Sequence, residues 1–521
     1  MALPVWEPSA ERVERANLSR FIKFARNETG NVDLIDHHSL HHWSIADPER
    51  FWLLVWDFCG IRGQGERTPV LVQGKRIEDA RWFPNVRLNF AQNLLRYSDD
   101  KPALVFRNEV GDARELSYAE LGTQVAQFAA ALRDVGVGIG DRVAGLLPNI
   151  PEAAIAMLAT AALGATWSSV SPDLSVDAVV ARFGQIEPKV LVCAASYAFG
   201  GLRFGCIEKA AGVAARVDSI SRVVVVPYLD AGSPIKSIRS GEAWNDFVAP
   251  HAGARLAFTA VPFDQPLYIL FAPNAAGAPI GVVHGVGGTL IQHLKELVLH
   301  TDVRREDHIF YYTTCGFLMW NWLLSSLAAG ATLVLYDGSP THPHAGALFD
   351  LADECEISVF GTSAKWLAAA CQAGVKPIDS HKLLNLRTIL SAGSPLDSDT
   401  YDYVYRDIKQ RLMLASIGVS IDTASCYALG SPLLPVYRGE VQCRGLGLAV
   451  EVLDDQGNPV RDEAGYLACT APFPSMPLRW WGDEDGTRYR AAYFEIAPGN
   501  WCHGERASIT ANDGIVLAGR A

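Results

Sequence analysis

Apolar, β-branched runs alternate with helix-like stretches between residues 141 and 393, and this alternation constrains the fold more than any other feature of the chain. A helix is predicted over 150–164, directly after the first run. The predicted strands are residues 141–148, 189–195, 222–228, 266–272, 331–337, 357–363 and 386–393. Buried runs of this kind, separated by helices, are typical of doubly wound parallel sheets covered on both faces. The sequence therefore predicts an α/β fold.

The two ends of the chain follow other patterns. Residues 1–100 are rich in Trp, Phe and Arg, with helical periodicity over 49–61. From about residue 436 the helix-like pattern stops, and short strands are separated by turns such as DDQGNP (454–459). Turn-rich alternation of this kind predicts a small antiparallel unit.

Composition excludes several classes of partner. The 521 residues carry a net charge of −12, which argues against nucleic acid or an anionic membrane as the main partner. No apolar run reaches the roughly 18 residues of a membrane span, and the first residues lack the layout of a signal peptide. The ten cysteines form no C-x-x-C pair, as expected for buried thiols in a reducing compartment. We expect a cytoplasmic protein.

The histidine pairs in DHHSLHHW (36–43) and PTHPHAG (340–346) raise the question of a metal site. Adjacent histidines point in different directions, and no Cys or acidic set stands at a useful spacing. We predict no metal site and place these histidines on a helix or loop surface.

The stretch FAPNAAGAPIGVVH (271–284) follows a predicted strand and precedes a helix-like segment, 288–299. A strand, a small-residue loop and a helix are how proteins build phosphate cradles from backbone N–H groups and a helix N-terminus. The part of this loop that would cradle phosphate contains no Lys, Ser or Thr.

Motifs along almost the whole chain resemble those of the adenylate-forming acyl-CoA synthetases, most closely the acetoacetyl-CoA synthetase branch. They are WFPNVRLNFAQNLL (82–95), LLPNIPEAAIAMLATAALGATWSSVSPD (146–173), RFGQIEPKVL (182–191), LVLYDGSP (333–340), VFGTSAKW (359–366), TILSAGSPL (388–396), LPVYRGEVQCRGLGLAVE (434–451), PFPSMP (472–477), YRAAYFE (489–495) and HGE (503–505).

The resemblance implies a domain plan. It divides the chain into an N-terminal helical extension (1–100), two α/β subdomains with the adenylate and acyl site (101–435), a distorted antiparallel β-barrel (436–518) and a hinge (519–521). The mobile C-terminal domain of such enzymes is then expected to be absent from this chain.

The resemblance also implies a two-step reaction. The carboxylate first attacks the α-phosphate of ATP, giving acyl-AMP and pyrophosphate, and the thiol of CoA then displaces AMP. The family's phosphate loop is similar to S-S-G-T-T-G-x-P-K, whose hydroxyls and Lys hold the β- and γ-phosphates. The aligned residues here are Ala272, Pro273, Asn274, Ala275, Ala276, Gly277, Ala278, Pro279 and Ile280. Every hydroxyl and the Lys are lost, which puts ATP binding and a Mg²⁺ requirement in doubt.

The resemblance also assigns residues to the nucleoside-binding half of the site, and these match the family's motifs better than the phosphate loop does. The adenine-side turn is Gly393, Ser394 and Pro395. Asp422 keeps the acid of the family's G-G-T-D segment, and Glu505 replaces the ribose-binding Asp of H-G-D. Arg520 is the hinge-side arginine.

The acyl pocket is the least defined part. Phe317, Gly418 and Val419 are expected near it, with Gly418 leaving room for a group larger than acetoacetate. Trp320 matches a family segment near the acyl and thiol path, but two Trp at a spacing of two are also typical of a core. Cys315 is interpreted as a buried thiol.

Three functions stay open at this point. The first is an acyl-CoA ligase limited to the second half-reaction, which takes a preformed acyl-AMP and CoA and depends on a separate adenylating enzyme. Such a protein would be similar to the synthetase-like proteins with divided labour in platensimycin-type diterpenoid pathways. The second is an ordinary two-step, ATP-dependent synthetase of the acetoacetyl-CoA type. The third is a catalytically dead, adenylate-binding pseudoenzyme.

Overall fold

The computed structural model describes residues 3–230, 232, 234–274 and 277–520, with Arg520 described by its backbone only. The α-helices are α1 (Ala10–Arg15), α2 (Asn17–Thr29), α3 (His37–Ala46), α4 (Pro48–Phe58), α5 (Phe90–Leu94), α6 (Tyr118–Asp134), α7 (Pro151–Ala162), α8 (Val176–Ile186), α9 (Ile207–Arg216), α10 (Trp244–Val248), α11 (Val286–Leu294), α12 (Leu318–Leu324), α13 (Ala347–Glu354), α14 (Ala364–Gln372), α15 (Pro377–Ser380), α16 (Ser398–Tyr403) and α17 (Thr487–Phe494). A π-helical turn, Lys295–His300, extends α11, and another, Val404–Ile408, extends α16.

The strands belong to two large sheets and several small ones. They are β1 (Gly63–Gln64), β2 (Leu71–Val72), β3 (Arg81–Trp82), β4 (Arg87–Leu88), β5 (Pro102–Asn108), β6 (Ala113–Ser117), β7 (Arg142–Leu146), β8 (Thr166–Val170), β9 (Val190–Ala194), β10 (Ser196–Phe199), β11 (Leu202–Gly205), β12 (Arg222–Val226), β13 (Gly241–Ala243), β14 (Val261–Pro262), β15 (Pro266–Ala272), β16 (Ile280–Gly285), β17 (His308–Tyr311), β18 (Thr332–Asp337), β19 (Val359–Ser363), β20 (Thr388–Ala392), β21 (Met413–Ser416), β22 (Gly418–Ser420), β23 (Ser425–Leu429), β24 (Cys443–Arg444), β25 (Val450–Leu453), β26 (Gly465–Cys469), β27 (Arg479–Trp480), β28 (Trp501–Ile509) and β29 (Ile515–Arg520).

Two mixed sheets form the body of the molecule. The first has the order β13-β12-β9-β7-β8-β15-β16-β27, and the second has the order β21-β20-β19-β17-β18-β5-β6. Parallel pairing runs through each sheet, and the antiparallel strands lie at one edge: β16 and β27 in the first, β6 in the second. One buried core joins helices of the N-terminal hundred residues to both sheets. The predicted α/β class is confirmed, with mixed rather than purely parallel sheets.

The C-terminal part is antiparallel. A four-stranded sheet, β25-β26-β28-β29, stands beside the three-stranded sheet β22-β23-β24. A bridge between Val441 and Ile515 joins the loop before β24 to β29. The division at residues 100, 435 and 518 stays a prediction.

Two predictions about the local structure are wrong. The loop after β15 leads into a second strand, β16, and α11 begins only at Val286. The pairing of β16 with β27, some two hundred residues later, is invisible to a local pattern. The prediction that helices stop after residue 436 fails at α17, a polar and aromatic helix whose Tyr489 and Tyr493 are buried.

The histidines of 36–43 do lie on a helix, α3, but they are not all on its surface. His37 and His41 are 2% and 3% exposed. Burial lowers the pKa of His37 to about 3, so this ring is neutral at pH 7.

Candidate functional site

The Gly393–Pro395 turn follows directly from β20 and is exposed. Gly393 has a φ of +95°, a conformation that favours glycine, and a Cβ there would meet nothing within 4 Å. The neighbouring strand β21 leads into β22, and the amide of Ile417 donates to the carbonyl of Ser391 at 2.8 Å. The glycine turn and the segment that carries Asp422 therefore follow neighbouring strands that end at the same edge of the sheet. Ligands of open α/β sheets bind at this edge.

The segment predicted to be a degenerate phosphate loop is the turn of the β15–β16 hairpin, with Ala272 paired opposite Ile280. The Asn274 side-chain amide donates to the Ala278 carbonyl at 3.1 Å and closes the turn. Ala275 and Ala276 lie outside the described residues. Because strand β16 follows this loop, the loop does not lead into a helix N-terminus, contrary to the predicted strand–loop–helix layout.

The turn is anchored from outside by polar contacts to its backbone. Gln185 donates to the Pro279 carbonyl at 2.9 Å, and Trp481 donates to the Gln185 carbonyl at 2.7 Å. These two contacts hold the Pro279 end of the hairpin turn in place.

Asp422 is buried, and both of its carboxylate oxygens accept hydrogen bonds. The Tyr493 hydroxyl donates to one oxygen at 2.6 Å, and the Ser420 hydroxyl donates to the other at 2.9 Å. Trp480 donates in turn to the Tyr493 oxygen at 3.1 Å. Burial, and then the charge of Asp422, raise the pKa of Tyr493, so its hydroxyl stays a donor.

Glu505 lies on β28 and is also held by side chains. The Tyr427 hydroxyl donates to its carboxylate, and the His503 ring lies 3.3 Å away from the same oxygen. The Glu505 side chain is 16% exposed, so one part of the carboxylate still faces solvent. In the backbone, Glu505 is paired opposite Arg520 across β28 and β29, while Ala521 lies outside the described residues.

A chain of aromatic rings joins the two acids. Tyr493 stacks on Trp501 with 5.1 Å between ring centroids, and Trp501 stacks on His503 at the same distance. His503 is 5.7 Å from the ring of Tyr427. Rings packed in this way fix the positions of the two hydroxyls that hold Asp422 and Glu505, so both carboxylates are pre-organised.

Sequence reasoning missed the residues that hold the two acids. Tyr493 and His503 lie in motifs that were recognised, YRAAYFE and HGE, but neither had been given a role. Tyr427 lies on β23, 78 residues from its partner Glu505. A buried tyrosine in a strand is ordinarily a core side chain, so no local signal could have found it.

The predicted acyl-pocket residues cluster around α12 and β22. Trp320 is fully buried and donates to Asn149 at 3.0 Å, while Phe317 and Val419 are half-buried. The reasoning about Gly418 is wrong, because a Cβ on this glycine would lie 2.8 Å from the Tyr427 ring. The absent side chain makes room for Tyr427 rather than for a larger acyl group.

A cavity of about 180 Å³ opens beside this cluster. Asn149, the partner of Trp320, lines it together with Thr314 and Asp337. At its mouth the rings of Tyr197 and Phe204 stack at 5.1 Å. Burial raises the pKa of Asp337 to about 6 although the Tyr228 hydroxyl donates to it at 2.8 Å.

Cys315 is next to this cavity but is not a nucleophile. It is fully buried, and its thiol donates to the Pro148 carbonyl at 3.2 Å. Burial raises its pKa well above the ordinary value, which disfavours the thiolate. The prediction of a buried thiol is confirmed here.

An ion pair that the sequence did not reveal lies behind the site. Lys295 and Glu296 are both fully buried, with 3.6 Å between Nζ and Oε1. Glu296 accepts from the Trp322 indole at 2.9 Å and from the Cys426 amide at 3.0 Å. It thereby ties α12 to β23, the strand that begins three residues after Asp422.

The described residues contain no group of three or more His, Cys, Asp or Glu side chains that could hold a metal ion. Both oxygens of Asp422 are already engaged within the protein. The doubt that the sequence raises about a Mg²⁺ requirement stays a prediction. In the same described part of the chain, no helix has the length and apolar character needed to cross a bilayer.

Residues 90–475 match the AMP-binding enzyme family. The two α/β sheets, the antiparallel unit, the glycine turn and the two held acids agree with this match. The chain belongs to this family of AMP-binding enzymes.

Within the family, the chain is similar to acetoacetyl-CoA synthetases. It is 45% identical to that of Rhizobium meliloti (strain 1021) over 520 residues, covering 99% of this chain and 79% of the relative. It is 42% identical to that of Danio rerio over 527 residues, covering 99% and 78%. The solved acetoacetyl-CoA synthetase from Streptomyces lividans matches with a TM-score of 0.95 and 37% identity, covering 100% of this chain and 80% of that chain. The predicted enzyme class, an acyl-CoA ligase, is confirmed at this level.

Proposed function

We propose that the protein is an acyl-CoA ligase limited to the second half-reaction, passing an acyl group from a preformed acyl-adenylate to CoA. The observation that carries this proposal is the contrast between the two halves of the site. Asp422 and Glu505 are held by an aromatic framework. The β15–β16 turn has no hydroxyl or cationic side chain in its sequence, and Pro273 removes a backbone donor as well.

The adenylate would lie against Gly393–Pro395. Glu505 would accept hydrogen bonds from the ribose hydroxyls, and Asp422 would stand toward the α-phosphate. AMP contributes a single phosphate, so the missing β- and γ-phosphate ligands do not matter to this half-reaction. An acyl phosphate anhydride is already activated, and the enzyme then has to supply position rather than activation.

The thiol would approach through the cavity beside Trp320. A new S–C bond forms at the acyl carbonyl, the C–O bond to phosphate breaks, and AMP leaves with that electron pair. The thiol proton is released. The stacked rings of Tyr197 and Phe204 at the cavity mouth offer an apolar surface to an incoming CoA. A separate adenylating reaction must supply the acyl-AMP, in the way of the divided labour of platensimycin-type pathways.

A second candidate is the ordinary two-step synthetase of the acetoacetyl-CoA type. The relatives favour it, because identity of 45% over 99% of the chain is high for proteins with different reactions. In that case the altered turn would still admit ATP, and acetoacetate would be the acid.

The deciding experiment measures pyrophosphate exchange beside thioester formation. We expect full-length protein to form acyl-CoA and AMP from a synthetic acyl-AMP and CoA, and to show no exchange with acid and ATP; the 521-residue chain should bind the adenylate but turn over slowly. Acetoacetyl-AMP is the first adenylate to try. Robust exchange with acetoacetate would instead establish the two-step synthetase, and tight adenylate binding without turnover would establish a pseudoenzyme.

A matched variant restores three of the family's five ligand side chains: Ala275→Thr, Ala276→Thr and Ile280→Lys together. We expect this variant to gain ATP-dependent exchange while its thioester formation from acyl-AMP stays unchanged. A variant that gains nothing, although the native protein makes the thioester, would mean that adenylation was lost elsewhere.

A further inference from the structure

A basic cavity of about 640 Å³ lies between the N-terminal helices and the α11 segment, away from the candidate site. Its charged lining residues are the five arginines Arg15, Arg20, Arg96, Arg304 and Arg305 and the single acid Glu306. The chain as a whole has a net charge of −12, so this concentration of positive charge is local. Clustered charge of one sign in a concave site attracts ligands of the opposite sign.

Arg96 is held by backbone carbonyls rather than by a carboxylate. It donates to the carbonyls of Cys59 at 2.9 Å and of Gly60 and Asn93 at 3.1 Å. Its Nη2 is buried and has no hydrogen-bond partner among the described residues. Burial also lowers the pKa of Arg96. Arg96 therefore has no carboxylate partner among the described residues, and its positive charge is not neutralised by an ion pair there.

Carboxylates neutralise only part of the positive charge of the other lining arginines. Arg304 binds Asp302 at 2.8 Å and the Arg15 carbonyl at 2.9 Å, and its Nε is buried without a partner in the described part of the chain. Arg20 makes a single long contact, 3.4 Å, with Asn17. Arg15 pairs with Glu11 at 3.2 Å. The planar guanidinium group matches the geometry of phosphate oxygens.

The rest of the cavity is apolar. Arg305 pairs with Asp99 and lies over the Tyr97 ring, 4.4 Å from its centroid. The remaining wall is formed by Phe58, Leu294, Val298, Val303, Ala328 and Ala329. The volume lies within the usual range of small-molecule sites, roughly 300–1,000 Å³. We propose that this cavity binds a small phosphate ester, with the phosphate on Arg20, Arg96 and Arg304 and an aromatic or apolar group against Tyr97.

The test is calorimetry on the whole chain with phenyl phosphate and with inorganic phosphate. We expect phenyl phosphate to bind at one site and more tightly than phosphate, because only the ester covers the apolar wall. Arg20→Gln should weaken it about tenfold, the effect of one charge-assisted hydrogen bond. Arg20 is exposed, so this variant should fold; Arg96→Gln should abolish binding, with its melting temperature checked in parallel.

Two variants serve as controls. Arg438→Gln removes an exposed arginine that is paired with Asp402 elsewhere, and Glu505→Ala damages the nucleoside half of the candidate site. Both should bind phenyl phosphate as the native protein does. Loss of binding in Glu505→Ala would place the ester in the adenylate site and overturn the proposal, as would unchanged binding in Arg20→Gln or no binding by the native protein.

Discussion

At the scale of single residues, the structure shows that Asp422 and Glu505, the two acids predicted to bind the adenylate, are hydrogen-bonded to other side chains. The resemblance predicts that Asp422 and Glu505 contact the adenylate. Each is oriented by a tyrosine hydroxyl, Tyr493 for Asp422 and Tyr427 for Glu505. An acid whose rotamer is already fixed loses less conformational entropy when a ligand binds.

Replacing Glu505 by Ala removes the acceptors for the ribose hydroxyls. We expect a non-hydrolysable acyl-adenylate analogue to bind about 1.5–3 kcal/mol more weakly, the scale of hydrogen bonds to charged groups. Tyr427→Phe is the matched variant, since it keeps the ring and the carboxylate but removes the orienting hydroxyl. It should cost about 0.5–1.5 kcal/mol. Calorimetry measures both values, and unchanged affinity in Glu505→Ala would place the ribose elsewhere.

At the scale of elements, we expect the β15–β16 hairpin to determine which nucleotide binds. Its turn has no hydroxyl or cation for the β- and γ-phosphates. Calorimetry should therefore find ATP bound no more tightly than AMP. A gain of about tenfold or more for ATP, equal to about 1.4 kcal/mol, would show that other residues bind the outer phosphates.

The α11 segment contains the other element-scale prediction. Burial lowers the pKa of Lys295 and raises that of Glu296, so the two charges depend on each other. Glu296→Gln leaves a buried lysine without its counter-charge, and we expect a loss of about 3–5 kcal/mol in stability. Lys295→Met should cost less, because Glu296 keeps its three N–H donors, from Gln292, Trp322 and Cys426.

Denaturant unfolding measures both variants of the buried pair. Lys189→Met is the control, since Lys189 is 35% exposed and pairs with Asp141 at 3.7 Å. Surface pairs contribute about 0–1 kcal/mol. Equal losses in all three variants would mean that the buried pair has no special role.

Elements defined by a local pattern could be predicted from the sequence, whereas features that depend on contacts between distant parts of the chain could not. Strands such as β9 and β12 were found because burial on both faces leaves a continuous apolar run in the sequence. Strand β16 was missed although it forms a local hairpin with β15, because the segment was interpreted as a loop leading to a helix; only its second pairing, with β27, is non-local. Lys295 and Glu296 look like the polar face of an amphipathic helix, and only tertiary packing covers them. The sequence could suggest Asp422 and Glu505 but not the tyrosines that hold them.

At the scale of the whole molecule, buried histidines set the response to pH. Desolvation lowers the pKa of His37 and His293 to about 3 and of His284 to about 4. His41 and His300 are shifted well below the ordinary value in the same direction. The folded protein keeps these five rings neutral, whereas the unfolded chain protonates them below about pH 6.5. Their contribution to stability is therefore complete above that pH and is lost as the pH falls toward 3–4.

The expected loss is about 1.4 kcal/mol per pH unit for each histidine once the pH is below 6.5. Asp337 opposes this loss of stability, because its raised pKa of about 6 lets the folded state take up a proton between about pH 6 and 4. Glu296 and His38, whose pKa values are also raised, act in the same direction as Asp337, but the five buried imidazoles outweigh these three groups and leave a net loss. We predict that the melting temperature falls steeply between pH 6.5 and 5, with His284→Asn showing a shallower fall and the exposed His42→Asn an unchanged one. A melting temperature that is flat across this range would mean that the buried rings accept protons without unfolding.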